Sequence, residues 1–189
     1  MTMQETLVFI DSGYLVKIAK EFNVVGKYDI NQLGITFAKE NNLWCKNVYY
    51  YLAPPYLSNP PKEIEKIRKN KYDKFISKLK KIPSLIIREG RCQKTNEGYK
   101  HKGVDTLLTM DLSSINPNEI NVIIIVTSDT DFVPILKKLK ENKIKIILYN
   151  YTDRVRNSQF SLSNHLIETC NLTKQIKKEH FEKSKLNNF

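Results

Sequence analysis

The sequence predicts an α/β domain on a largely parallel sheet of about five strands. Three observations lead there. Short β-branched runs alternate with segments of helical spacing. The runs at 6–10 (TLVFI) and 122–126 (VIIIV) are almost continuously apolar, as strands covered on both faces must be. The turns after both runs are short, and neither an internal repeat nor a linker separates a second domain.

The elements follow in order. TLVFI is a first strand, and Asp11 comes directly after it. SGYLVKIAKEF then places Leu15, Ile18, Ala19 and Phe22 on one helical side. YDINQLGITFAKENNL is a second helix with Asp29 as N-cap. NVYYYLAPP is a second strand closed by paired prolines. Residues 60–81 read as a long basic helix with Pro61 in its first turn. Its apolar stripe is Ile64, Ile67, Tyr72, Phe75, Ile76 and Leu79. SLIIREGRC is a third strand, and QKTNEGYKHKG a polar, basic loop. VDTLLTMDLSSI is a helix that NPNE breaks. NVIIIVTSD is the strongest strand. FVPILKKLKEN is a helix whose Pro134 sits where a missing N–H costs nothing. KIKIILYNY is a fifth strand, and SLSNHLIETCNL a short closing helix. The domain is assigned to residues 1–172; residues 173–189 are polar, basic and expected to fray.

The 189 residues suffice for one domain with a substantial core. The net charge of +11 favours partners with phosphate backbones or an anionic surface. Cys45, Cys92 and Cys170 are scattered, with no CxxC or Cys/His cluster, which argues against zinc and for a reducing compartment. The start MTMQETLVFI lacks the basic region and apolar length of a signal peptide. No stretch is long enough to span a bilayer. The expected setting is cytoplasmic.

The carboxylates carry the chemistry. In an open parallel sheet, ligands bind outside the carboxyl ends of the strands where strand order reverses. Asp11 leaves the first strand at that edge; Asp129 and Asp131 leave the VIIIV strand there. Each alone is economically explained as a helix cap, but capping does not explain convergence. Clustered carboxylates repel, and a divalent cation removes the conflict. All-oxygen ligands select Mg²⁺ or Mn²⁺, ions that also bind substrate phosphates. Asp105 lies at the start of its helix, placed either to reach the site or to complement the helix dipole. Asp111 falls on the apolar face and needs a partner, structural or second to the metal. Other schemes fare worse: no Walker loop, GxGxxG or GxSxG motif occurs near a suitable partner.

FIDSGYL (9–15), KGVDTLLTMDL (102–112) and VTSDTDFVPILKKLKENKIKIILY (126–149) together resemble the NYN domain, in its LabA/DUF88 branch of the PIN-like nuclease superfamily. LSNHLIETCN resembles the closing helix of that family, so the likeness runs over residues 6–172. It implies a Rossmann-like, PIN-like three-layer fold with an acidic pocket and Mg²⁺- or Mn²⁺-dependent cleavage of RNA. By motif, Asp11, Asp105 and Asp129 correspond to the metal-binding core, with Asp131 next to them and Asp111 matching a recurrent Asp. Many members carry Asn where this chain has Tyr14, and Asp where it has Asn171.

The expected mechanism is hydrolysis with Asp11, Asp105, Asp129 and Asp131 as catalytic groups. Ser12, Tyr14, Lys102, Thr127 and Ser128 are the expected substrate contacts. Tyr14, Tyr56 and Tyr99 are candidate stacking surfaces for unpaired bases of single-stranded RNA. No membrane partner is expected, and oligomeric state is open. A non-catalytic RNA-binding module is the alternative.

Overall fold

The computed structural model describes residues 3–96, 98–153, 155, 158, 160 and 163–186. Strand β1 (Gln4–Asp11) lies inside a six-stranded sheet with β2 (Leu43–Leu52), β3 (Leu85–Glu89), β6 (Val122–Val126), β7 (Lys145–Asn150) and β8 (Leu172–Gln175). Their order is β3-β2-β1-β6-β7-β8, and every pairing is parallel. The chain builds outward from β1 to β3, then crosses to β6 and builds outward on the other side. The order therefore reverses between β1 and β6.

Two helical layers cover the sheet. Alternate residues of β1 divide between them, because side chains of a strand point to opposite faces. Val8 and Ile10 pack with α1 (Ser12–Glu21), α2 (Ile30–Lys39) and α7 (Lys178–Lys183). Leu7 and Phe9 pack with α4 (Val104–Ser113), α5 (Val133–Glu141) and α6 (Asn164–Thr169). All five residues of β6 are buried, as its apolar run requires. Asp29 caps α2 by accepting from the Gln32 N–H at 2.8 Å.

Four details differ from the sequence reading. The sheet has six strands rather than five. The stretch expected as a loop is a hairpin outside the main sheet, with β4 (Arg91–Thr95) antiparallel to β5 (Gly98–Lys102). Helix α3 (Glu63–Leu79) starts after Pro61, and of its expected stripe only Ile76 is buried; Ile64, Ile67 and Phe75 are exposed. A helix packed against an edge strand has too little sheet beneath it to cover a whole stripe.

The fourth difference is the tail. Instead of fraying from Thr173, the chain adds β8 to the sheet and lays α7 on α2. Phe181 is buried against Tyr28 and Phe22. His180 accepts from the Lys177 N–H through Nδ1, and its Nε2 meets Glu40 at 2.9 Å. The Asp29 N–H donates to the Ser184 carbonyl at 2.7 Å. Ser161 and Leu162 of the expected closing helix, and tail residues 187–189, lie outside the described residues.

Candidate active site

Asp11 is the last residue of β1 and the N-cap of α1. Its Oδ1 accepts from the N–H groups of Gly13 at 2.8 Å and Tyr14 at 3.4 Å. The neighbouring strand ends in register, since Ile10 pairs with Val126. The Thr127 Oγ1 then accepts from the Asp129 N–H at 3.1 Å, and Asp129 Oδ1 accepts from the Asp131 N–H at 2.9 Å. That bond opens one 3-10 turn, Thr130–Phe132, which runs into α5. Both aspartates thus do the capping expected of a lone Asp, each through Oδ1.

Capping accounts for half of each carboxylate. Burial pushes the Asp11 carboxyl above its ordinary range, opposed by the N–H groups of Gly13 and Tyr14 and reinforced by the charges of Asp105 and Asp129. Partial desolvation raises Asp105, followed by the charges of Asp129 and Asp131, with His101 opposing. Asp105 reaches this neighbourhood from the first turn of α4. Gly103 starts that helix at φ +80°, a left-handed conformation that costs glycine little. Gly90 closes the hairpin's base: a Cβ there would lie 2.6 Å from the Lys102 carbonyl and 2.7 Å from Val104 Cγ2. Asp11 and Asp129 thus leave adjacent strands at the reversal point, and Asp105 lies near enough for its charge to interact with theirs.

No three described His, Cys, Asp or Glu side chains are grouped as a ready-made ion cage. The donor chemistry suits a hard divalent cation held by few carboxylates, with water and substrate oxygens completing its shell. It does not suit zinc.

Several expected contacts are placed differently. Asp111 bonds within a structural network: its Oδ2 accepts from the Tyr51 hydroxyl at 2.8 Å and from Arg88 Nε at 2.7 Å, and Arg88 Nη2 reaches Oδ1. That hydrogen bond to Asp111 raises Arg88 above its ordinary range. A carboxylate on an apolar face demanded a partner; that Tyr51 and Arg88 supply it is set by β2 and β3 and is invisible in the sequence of α4.

Tyr14 is 4 % exposed, so its ring is unavailable for stacking. Its hydroxyl donates to the Tyr151 carbonyl at 3.1 Å and accepts from the Tyr151 N–H at 2.8 Å. Burial pushes that phenol up to about 12. The tyrosine in place of the usual Asn therefore straps the segment after β7 to α1. Thr127 is fully buried and serves the turn rather than a phosphate. Ser12 is half-buried. Ser128 is half-buried beside the cluster, and Lys102 is exposed just before Gly103.

This fold, with acids at the carboxyl ends of its central strands, defines a PIN-like α/β domain. The NYN domain matches residues 5–173, and the chain belongs to that family. No curated protein matches the chain. Among solved structures, a protein of unknown function from Vibrio parahaemolyticus superposes with a TM-score of 0.61 at 14 % identity, over 95 % of this chain and 96 % of that one. At that identity the likeness speaks for the fold alone. Among the described residues, no helix is long and apolar enough to cross a membrane.

Proposed function

We propose that this NYN protein, of the LabA/DUF88 branch, is a divalent-metal-dependent ribonuclease that hydrolyses phosphodiester bonds of single-stranded RNA. What supports the reading is that Asp11 and Asp129 leave adjacent, in-register strands at the point where strand order reverses, with Asp105 near enough for its charge to interact with theirs. Asp11, Asp105 and Asp129 are the residues that would hold Mg²⁺ or Mn²⁺. When bound, such an ion makes water more acidic and draws off charge developing on phosphate oxygens. The capping bonds fix the Asp11 and Asp129 side chains before substrate arrives, leaving each Oδ2 for the site. Asp131, on the exposed side, orients the attacking water. Ser128 donates to a phosphate oxygen, and Lys102 neutralises an adjoining phosphate. A cytoplasmic setting belongs to the same proposal, since Cys45, Cys92 and Cys170 are free thiols.

Asp129→Asn tests it. The amide oxygen still accepts from the Asp131 N–H, so the turn is retained while the charge is lost. Cleavage of a single-stranded RNA in Mg²⁺ falls to background, and the circular dichroism spectrum is unchanged. Undiminished cleavage removes Asp129 from the mechanism. One feature favours a second reading, a non-catalytic RNA-binding module: Asp11 and Asp129 already have capping roles without a metal. Under that reading wild-type protein binds RNA and cuts none in either Mg²⁺ or Mn²⁺.

A further inference from the structure

Apart from Lys102 at its end, the β4–β5 hairpin takes no part in the proposed acidic site. A two-stranded ribbon is marginal alone, and here it is held at both ends. At its base, Gly90 lets Lys102 and Val104 come close. At its tip, the Tyr99 ring meets Tyr56 with centroids 5.3 Å apart and planes tilted by 41°. Tyr99 nonetheless remains 57 % exposed, a large aromatic face left in solvent.

Strand alternation puts Tyr99 and His101 on one face of the hairpin, and antiparallel pairing sets Lys94 opposite Tyr99. A cavity of about 200 Å³ opens there, lined by Pro55, Tyr56, Arg68, Tyr99 and His101 among others. Its other wall is fixed in advance. Glu65 accepts from the Ser58 N–H at 3.0 Å, the Ser58 hydroxyl at 2.5 Å and the Lys62 N–H at 2.9 Å. These bonds tie the segment carrying Tyr56 to α3, one turn before Arg68. The cavity also leads toward the acids: β5, which carries Tyr99 and His101, ends at Lys102, and α4 begins at Val104 with Asp105 in its first turn.

An aromatic pair with a cation at its rim, beside a phosphate-handling cluster, has the chemistry of a base subsite. Aromatic side chains stack on any base, and arginine neutralises the backbone that carries it. We propose that the Tyr56–Tyr99 cleft receives one unpaired base of a single-stranded RNA whose neighbouring phosphodiester lies at the acidic cluster, with Arg68 on the flanking backbone. The cleft fixes the position of the cut relative to the bound base. This rests on the ribonuclease reading.

The test uses full-length protein carrying Asp129→Asn, so that RNA stays intact, with a short single-stranded RNA bearing one 2-aminopurine. Binding is read by anisotropy and stacking by quenching of the 2-aminopurine. Adding Tyr99→Ala weakens binding about tenfold and abolishes the quench; adding Tyr99→Phe preserves both. Arg68→Ala weakens binding and leaves the quench of bound RNA intact. Tyr99 lies outside both buried cores, so its replacement leaves the main sheet and its helices folded, which circular dichroism checks. Equal affinity and quenching with and without Tyr99→Ala overturns the cleft. If otherwise wild-type protein then still cuts RNA, the ribonuclease reading survives that failure. Tyr99-dependent stacking with no cleavage by wild type upholds the cleft and sinks the nuclease.

Discussion

Tyr14→Phe separates two roles for a residue beside the acidic cluster. As a stacking surface, Tyr14 keeps most of its value as Phe, and RNA binding changes little either way. As a strap, it loses everything that matters, since the hydroxyl alone bonds to Tyr151. That hydroxyl makes two bonds, one donated at 3.1 Å and one accepted at 2.8 Å. A net hydrogen bond is worth about 1 kcal/mol, and a buried partner left unpaired costs somewhat more. Tyr151 is only partly buried, so water recovers part of that excess. The expected cost is about 2 kcal/mol, read as a lower urea midpoint with an unchanged slope. For a domain of this size it lowers Tm by about 6 °C. RNA affinity near the midpoint of binding stays within about twofold, because the ring does not touch substrate. A stability change below about 0.5 kcal/mol refutes the strap.

Three further outcomes are expected. Asp11 and Asp105 have raised carboxyl pKa values in the fold, so their contribution to stability is fullest below the unfolded value of about 3.8 and declines as pH climbs through the raised values. Metal-free melting temperatures of wild type and Asp105→Asn therefore converge near pH 4 and separate toward pH 7 with the variant higher, while Mg²⁺ raises wild type more; parallel curves refute it. Phe181→Ala costs about 3–5 kcal/mol in urea denaturation, and a cost under about 1 kcal/mol means the C-terminal helix is not docked. RNA affinity falls steeply between 50 and 200 mM salt, in proportion to the phosphates neutralised, and a flat response excludes the basic surface as the binding face.

The parts of the fold that could be read in advance are those whose local chemistry agrees with their tertiary setting. The TLVFI and VIIIV runs have the composition of strands covered twice, and an Asp within three residues of the end of such a strand lies at the sheet's carboxyl edge. Asp11 and Asp129 were thus placed by strand logic alone. The hairpin escaped because its residues are exposed on both faces, so RCQKT and GYKHK carry no apolar period. Strand β8 escaped for a related reason: LTKQ is an edge strand with no buried residue. The roles of Tyr14 and Asp111 depend on Tyr151, Tyr51 and Arg88, partners remote in sequence. Side-chain type announces that a partner is needed and is silent on which one.

The reversal of strand order also dictates when this protein acquires its chemistry. A chain that has folded only β1 to β3 has Asp11 in place but none of its companions, and Asp129 comes beside it only when β6 seats against β1. Half-assembled molecules, including those still emerging beside messenger RNA, lack the pocket. On the proposed ribonuclease reading, topology itself keeps the protein inert through its own birth.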